Sequence, residues 1–355
     1  MGKKKISSLS QFLSECAGQR VWVGVDVHKR SYSIAVCRED GQTGPWRTTS
    51  DNDALMYQLA SHQMHIQALV YESGPTGFGL ARCSQQAGIP AIVAALSRII
   101  RPVTPTAKTD SLDCRKLAAL ASKWMVRPIA VPSEQEEALR ALERRRHQIA
   151  DSLRKVKQRI KAFLLFHGVT EPGGLERWTL QAQQALSIMP LDPILRDVLD
   201  EYLEELRHMR IKLASLEKKM AAHTAQVHQA KMAALRSVPG VGRIVACSYL
   251  SELFRPERFE RGEEVAAYLG LAPFVRHSGE KTPNGRIRPT GQTRLRSLLM
   301  EAAWIWKRRD SGIQAYYSRM LRNTGVVQKA ITAVARKLAI ILWRLALEQR
   351  AYRMA

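Results

Sequence analysis

Four carboxylates in the first third of the sequence have the types and spacing expected of a divalent metal site. Asp26 interrupts an apolar strand pattern, Glu72 ends another, and Asp110 and Asp113 lie three residues apart on the first turn of a predicted helix. An ionised carboxylate in a buried strand costs roughly several kcal/mol unless it is paired, hydrogen-bonded or bound to a metal. Four oxygen ligands are what two hard cations need when they hold the attacking and leaving oxygens of a phosphodiester.

Each of these carboxylates also has a simpler explanation. A nearby Lys or Arg could pair with Asp26, and Thr109 or Asp110 could be a helix N-cap, where acidic residues suit the helix dipole. The metal hypothesis depends on the combination of a strand Asp, a strand-end Glu and a helical pair in one α/β unit. Lys108 and Arg115 flank the helical pair and could contact the reacting phosphate.

A serine far along the chain is the second group that could do chemistry. Most serines in polar loops are solvated and inert, and that remains the alternative for Ser278. Its neighbours would nevertheless suit a phosphoryl centre, where developing negative charge must be stabilised. They are Arg276, Lys281, Arg286 and Arg288.

The elements that must position the carboxylates form an α/β unit. Residues 21–37 alternate as a β-hairpin around a turn at residues 28–30, and further strands are predicted near residues 46–49, 66–72 and 90–94. Helices are predicted near residues 52–62, up to residue 87 and at 109–123. Antiparallel strands followed by β-α-β units indicate a mixed sheet with helices on its faces. The carboxylate spacing matches an RNase-H-like fold of the resolvase (RuvC-like) type.

The middle of the chain carries two long apolar repeats. Leu139 to Phe163 and Leu195 to Met220 follow steps of three and four residues, and a Pro- and Gly-containing connector separates them. This rhythm predicts a long antiparallel coiled-coil arm, with a two-helix piece of a compact bundle as the alternative. We expect a basic lead-in over residues 1–20, a catalytic domain over 21–133, the arm over 134–232 and a basic, mainly helical domain over 233–355.

A glycine-containing turn opens the last domain. Val238-Pro-Gly240-Val-Gly242, followed by Arg243, has the form of a helix-hairpin-helix. Its glycines would let the turn approach a phosphate backbone, and the next helix would aim free N–H groups at it. An ordinary glycine-capped helical turn is the alternative.

The charge of the chain indicates a polyanionic partner. Lys and Arg number 55 against 32 Asp and Glu, which leaves a net charge of +23. Residues 271–355 alone hold seventeen Lys and Arg against four Asp and Glu. Nucleic acid is the first candidate, because no apolar run approaches the ~18 residues of a membrane span. Five scattered cysteines without a Cys-x-x-Cys pair suggest neither disulfides nor a zinc site, and they fit a reducing cytoplasm.

Several motifs in fixed order carry a family resemblance over residues 21–347. They are Gly24-Val-Asp26-Val-His-Lys29, Glu72-Ser-Gly-Pro-Thr-Gly77, Lys108-Thr-Asp110-Ser-Leu-Asp113, Pro239-Gly-Val-Gly242, Leu269-Gly-Leu-Ala-Pro273, Ser278-Gly279 and Gly291-Gln-Thr-Arg-Leu-Arg296. The set resembles the DEDD transposases of insertion sequences, which are RNA-guided serine recombinases. Two positions depart from the family pattern: Gln292 stands where Asn is expected, and Cys114 where Ala is usual.

The resemblance implies a mechanism and partners. Asp26, Glu72, Asp110 and Asp113 would bind Mg²⁺, as one or two ions with Mn²⁺ able to substitute, and Ser278 would form a transient covalent link to DNA. A structured noncoding guide RNA would pair with donor and target DNA. The enzyme would act on the prokaryotic nucleoid as a homo-oligomer, a dimer or tetramer. Expected nucleic-acid contacts are Lys29, Lys108, Arg115, Gly240, Gly242, Arg243, Arg276, Lys281, Arg286, Arg288, Arg294 and Arg296.

Other functions are compatible with parts of the sequence. A structure-specific endonuclease of the Holliday-junction type would use the carboxylate site with water as the nucleophile. A non-catalytic architectural protein would bind DNA or RNA and keep the acids for structure. An RNase-H-like ATPase or sugar kinase is disfavoured, because its glycine- and threonine-rich phosphate loops are not visible and the charge is wrong for it.

Overall fold

The computed structural model describes residues 9–95, 110–273 and 291–354, without the side chains of residues 110–112. The chain divides into two units, Met1–Pro132 and Ser133–Ala355. Among the described residues, no helix is both long and apolar enough to cross a membrane.

The first unit is built on a five-stranded mixed sheet. The strands are β1 (Arg20–Val27), β2 (Ser31–Arg38), β3 (Thr43–Thr49), β4 (His65–Glu72) and β5 (Ala91–Ala94), in the order β3-β2-β1-β4-β5. β1, β2 and β3 pair antiparallel, whereas β4 pairs parallel with both β1 and β5. The predicted mixed sheet is confirmed, and its topology is compatible with the predicted RNase-H-like fold.

Helices cover both faces of this sheet. α1 (Leu9–Glu15), α2 (Asn52–Ser61) and α3 (Gly79–Gln86) contribute to the core on one face, together with the alternate β1 residues Val23 and Val25. α4 (Asp110–Ser122) lies on the opposite face, where Leu117 and Ala121 contact Trp22 of β1 and Val70 of β4. The alternation of each strand therefore assigns its residues to one helical layer or the other.

Two long helices begin the second unit, α5 (Glu134–Phe166) and α7 (Pro193–Arg236). They run antiparallel: Arg146 Nε donates to Glu217 Oε1 at 2.8 Å, and the rings of Phe163 and Tyr202 lie 6.1 Å apart. The connector holds a helix that the sequence pattern did not predict, α6 (Leu180–Ile188), whose Ala182 and Leu186 are fully buried in the apolar core of the helix pair.

The predicted boundary between an arm and a final domain differs from the structure. Residues 232 and 233 lie inside α7, and Met220 and Met232 of that helix belong to the hydrophobic core formed with the last helices. The base of the helix pair is therefore part of the C-terminal helical core, while its other end has a separate core around Val156 and Leu199. A supercoiled geometry for the pair remains a prediction.

The remaining helices of the second unit pack together, with the others around α12. They are α8 (Arg243–Leu253), α9 (Gly262–Tyr268), α10 (Thr293–Arg309), α11 (Ser311–Thr324) and α12 (Val327–Glu348). One face of α12 is buried, and buried aromatic side chains join it to neighbouring segments by hydrogen bonds. Tyr249 Oη donates to the Ala339 carbonyl at 2.6 Å, and Trp343 Nε1 donates to the Pro256 carbonyl at 2.9 Å.

Candidate active site

Asp26 and Glu72 leave neighbouring parallel strands at adjacent positions. Val25 of β1 pairs with Tyr71 of β4, and both side chains are fully buried on the face that α2 and α3 cover. Because successive residues of a strand point to opposite faces, Asp26 and Glu72 project toward the face of α4. Adjacent strands lie about 4.8 Å apart, so the two carboxylates belong to one local site.

The crossing of α4 over β1 positions Asp113. A Cβ added to Gly24 would lie 2.1 Å from the carbonyl oxygen of Cys114 and 2.6 Å from the amide nitrogen of Ala118, so the helix backbone rests directly on the strand. Burial raises the pKa of the Cys114 thiol to about 11, and the Asp26 carboxylate adds to the shift. Asp113 immediately precedes Cys114, which brings it to the side of the sheet that bears Asp26 and Glu72.

His28 is a site residue that the sequence did not single out. Its Nε2 lies 3.1 Å from Asp26 Oδ2, and the side chains of His28 and Asp26 are 44% and 25% exposed. The expectation that Asp26 sits in the buried middle of a strand was wrong, since it is the penultimate residue of β1 and is partly open to solvent. The i, i+2 spacing across the end of the strand was the available signal for this contact.

The side chains of the candidate site are of the chemical type that binds a hard cation. Asp26, Glu72 and Asp113 supply carboxylate oxygens, the ligands that Mg²⁺ prefers. Within the described ranges, no group of three or more His, Cys, Asp and Glu residues is arranged to hold a metal, and the side chain of Asp110 lies outside those ranges. Asp26, Glu72 and Asp113 therefore lie on one side of the sheet without forming such a group, and metal binding, with Asp110 as the fourth ligand, remains a prediction.

Gly24→Ala tests the close crossing that carries Asp113. The new Cβ would meet backbone atoms of α4, which cannot move aside as a flexible side chain would, so we expect a loss of about 3 kcal/mol in the free energy of unfolding. Urea denaturation followed by circular dichroism measures this loss. Gly79→Ala is the control, because its Cβ would lie at an ordinary 3.4 Å from Asn52 Nδ2. Equal stability of the two variants would contradict the close crossing.

The serine motif lies outside the described residues, as do several predicted nucleic-acid contacts. These are Ser278, Lys108, Arg276, Lys281, Arg286 and Arg288. The residues that flank the serine motif are described. Gly291 has a φ of +95° and packs on the backbone of Gly270, whose carbonyl accepts a hydrogen bond from Arg296 Nη1 at 3.2 Å.

Arg294 also lies close to protein groups. Its side chain is half-buried, and Nη1 has no hydrogen-bond partner among the described residues. Burial and the neighbouring Glu252 carboxylate raise the pKa of Glu143, while the Arg294 guanidinium opposes that shift. The positive charge of Arg294 therefore interacts with a buried carboxyl of α5.

The remaining predicted nucleic-acid contacts differ in exposure. Gly240 has a φ of +89°, and a Cβ there would lie 2.6 Å from the carbonyl oxygen of Ala302, so its close backbone approach is to α10 of the same chain. Lys29, Gly242 and Arg243 are exposed. Arg115 is half-buried, and its Nε has no hydrogen-bond partner within the described part of the chain.

Comparisons with known proteins cover both units. Residues 23–168 match a family model of the DEDD type, described as a transposase, and residues 232–318 match the model for the transposase IS116/IS110/IS902 family. Protein y4qE of Sinorhizobium fredii, which is named as a transposase, is 31% identical over 94% of this chain and 90% of its own length.

Two further relatives span most of the chain. The transposase for insertion sequence element IS1533 of Leptospira borgpetersenii is 26% identical, over 81% of this chain and 85% of its own. The transposase for insertion sequence element IS1111A of Coxiella burnetii is 25% identical, over 93% of this chain and 91% of its own. The similarity therefore covers the carboxylate unit and the helical unit together.

Proposed function

Because the chain belongs to the IS110/IS116 family of DEDD insertion-sequence transposases, we propose that it cuts and rejoins DNA with a carboxylate metal site and a serine nucleophile. Asp26, Glu72, Asp110 and Asp113 would hold Mg²⁺, and Ser278 would attack the DNA. The observation that carries the proposal is the placement of Asp26 and Glu72 at adjacent strand ends, on the face crossed by the start of α4.

The carboxylates would supply the electrostatic part of the reaction. Mg²⁺ held there would offset the negative charge that builds on the phosphodiester oxygens. His28 would hold Asp26 in place through the contact between Nε2 and Oδ2. The partial exposure of Asp26 supports its proposed role as a metal ligand, because the phosphate of the DNA must reach the site from solvent.

Ser278 would supply the covalent step. Its Oγ gives up its proton and bonds to phosphorus, and the bond from phosphorus to the leaving deoxyribose oxygen breaks as that oxygen takes up a proton. The phosphoserine diester keeps the energy of the broken bond, so attack by a new DNA hydroxyl rejoins the strand and frees the serine without a high-energy cofactor. The arginines and lysine near Ser278 in the sequence support this role.

The charge of the chain supports its proposed partners. The +23 net charge, concentrated after residue 271, suits DNA and a structured guide RNA whose pairing would choose the sequence. Binding to both backbones would weaken steeply with added salt. The serine and the carboxylates belong to different units of the chain, and we propose that they meet between subunits of a homo-oligomer, a dimer or tetramer.

Trapping of a covalent intermediate tests the proposed function. The full-length protein is incubated with DNA from the element's ends, RNA transcribed from its noncoding segment and Mg²⁺, then stopped in sodium dodecyl sulfate. We expect a protein–DNA adduct that chelation by EDTA prevents and that Mn²⁺ restores. Cutting without an adduct would favour the endonuclease that uses water, and binding without cutting would favour the architectural protein.

A further inference from the structure

We propose that α11 and the adjoining parts of α10 and α12 form a surface that binds the phosphate backbone of DNA. Its contacts are Lys307, Arg319, Arg322 and Lys337, which we call the α11 surface. All four lie beyond the last of the sequence motifs, which ends at residue 296. The assignment rests on DNA as the substrate in the proposed function, and it depends on neither the serine nor the metal.

The chain that forms this surface carries positive charge without nearby acids in the sequence. Residues 311–347 contain six Lys and Arg and no Asp or Glu. Neither these six nor Lys307 makes an ion pair with any residue that the structure describes. Arg319 and Arg322 are exposed and lie three residues apart, so they share one side of α11. Unpaired cations on one side of a helix attract a polyanion.

Two consecutive tyrosines of α11 contact lysines from the helices on either side. On the α10 side, Lys307 Nζ lies 3.8 Å from the ring centroid of Tyr317 and 5.0 Å from that of Trp304. On the α12 side, Lys337 Nζ lies 4.6 Å from the ring centroid of Tyr316. Both lysines are half-buried, so part of each side chain is still accessible to solvent.

An aromatic ring orients a cation without neutralising it. A carboxylate partner would also orient a lysine, but it would cancel the charge, and a phosphate would have to displace it. A ring attracts the cation through its quadrupole and carries no net charge, so the full positive charge remains for a phosphate. Arg319 is held in the same way, with its guanidinium carbon 5.4 Å from the centroid of Tyr316. Side chains that are ordered before binding also lose less entropy when the phosphate arrives.

The long helix pair of the same unit shows the opposite arrangement. Lys155 Nζ lies 3.2 Å from Asp151 Oδ2, and Lys161 Nζ lies 2.9 Å from Glu171 Oε2. The charges of these two lysines are offset by carboxylates. They provide a control that changes the net charge of the unit equally without removing cations held by aromatic rings.

The test compares two double substitutions in the full-length protein. The first joins Lys307→Gln with Lys337→Gln, and the control joins Lys155→Gln with Lys161→Gln. The Kd is measured by fluorescence anisotropy, over a range of salt concentrations, for duplex DNA from the element's ends and for duplex DNA of unrelated sequence. Melting temperatures of the variants report on folding.

The first pair should weaken binding of both DNAs by roughly tenfold, because backbone contacts do not depend on sequence. The slope of log Kd against log salt concentration should fall by about 2, since each phosphate contact contributes about 0.9. The control pair should bind like the wild type, because salt screens charge that is lost away from the contacts. Cutting at saturating DNA should proceed at the wild-type rate in both pairs.

Two further variants keep the test decisive. Tyr316→Leu keeps every charge and removes the ring under Lys337, so the Kd should weaken by about two- to fivefold with an unchanged salt slope. If the first pair fails to fold, Arg319→Gln joined with Arg322→Gln replaces it. Both arginines are exposed, so their loss should leave the fold intact and lower the salt slope by about 2.

Three results would overturn the assignment. The first is a wild-type Kd and salt slope when Lys307 and Lys337 are both replaced. The second is equal weakening by the control pair, which would show that only net charge matters. The third is a loss of affinity confined to RNA transcribed from the element's noncoding segment, which would place RNA on the α11 surface.

The failure of the proposed function would look different, because it is observed in the wild type. If the wild type binds DNA and never cuts it, the proposed chemistry fails, while the Kd values of the variants still decide whether the α11 surface holds DNA. If the wild type cuts DNA and the variants bind it equally tightly, only the assignment of the α11 surface fails.

Discussion

Asp26→Asn is expected to abolish Mg²⁺-dependent cutting of DNA, with a fall in rate of about 10³-fold or more. A bound cation supplies several kcal/mol of charge stabilisation in the transition state, and each ~1.4 kcal/mol is worth tenfold in rate. Asn keeps the size of Asp and an oxygen that can accept from His28 Nε2, so the fold should survive. What Asn removes is the negative charge with which Asp26 would attract Mg²⁺.

The measurement is the rate of strand cutting as a function of Mg²⁺ concentration, with isothermal titration of Mg²⁺ alongside. Asp40→Asn is the matched control, because Asp40 is an exposed carboxylate in the same unit and its capping of the Gln42 amide can be reproduced by Asn. The control should cut like the wild type. Undiminished cutting by Asp26→Asn in Mg²⁺ would contradict the role of Asp26 as a metal ligand.

Much of the first unit follows from sequence pattern alone. The hairpin of β1 and β2 is confirmed, because alternating Val, Ile and Tyr residues flank a short polar turn and strands of this kind pair locally. The strand bearing Glu72 is predicted to begin at residue 66 and begins at His65. These elements are set by local periodicity, which the sequence displays directly.

The helix α6 could not be predicted because its support is tertiary. Its neighbourhood contains Gly173 and Gly174, which indicate a break, and the helix is only nine residues long. Thr179 caps it by accepting from the Ala182 amide at 3.2 Å, and Ala182 and Leu186 are buried in the core shared with α5 and α7. Isolated helices of this length are not stable in water.

Only part of the candidate site could be predicted from the sequence, again because some of its features depend on tertiary packing. The type and order of Asp26, Glu72 and Asp113 made them candidates, and the structure brings their chain positions to one side of the sheet. Gly24 lets α4 pack closely across β1, but the sequence alone does not show which helix packs on this strand. The charge of a residue also does not show which way its side chain points. Arg294 and Arg296 belong to a basic segment, yet both interact with protein groups.

Ser278→Ala should eliminate the covalent adduct and slow strand rejoining by about 10⁴-fold or more, because removal of a nucleophile leaves only the binding and electrostatic parts of catalysis. DNA affinity should stay near that of the wild type, since alanine removes no charge. The adduct is measured on denaturing gels and the rejoined strand on sequencing gels. Ser187→Ala is the control, at an exposed serine of α6 whose hydroxyl donates to the Gln184 carbonyl.

The two substitutions together separate the three functions. If serine is the nucleophile, Ser278→Ala and Asp26→Asn both lose cutting, because the attack needs the hydroxyl as well as the charge stabilisation. If water is the nucleophile, Ser278→Ala still cuts while Asp26→Asn does not. If the chain is architectural, neither substitution changes the binding of DNA, and the wild type cuts nothing that the variants could lose.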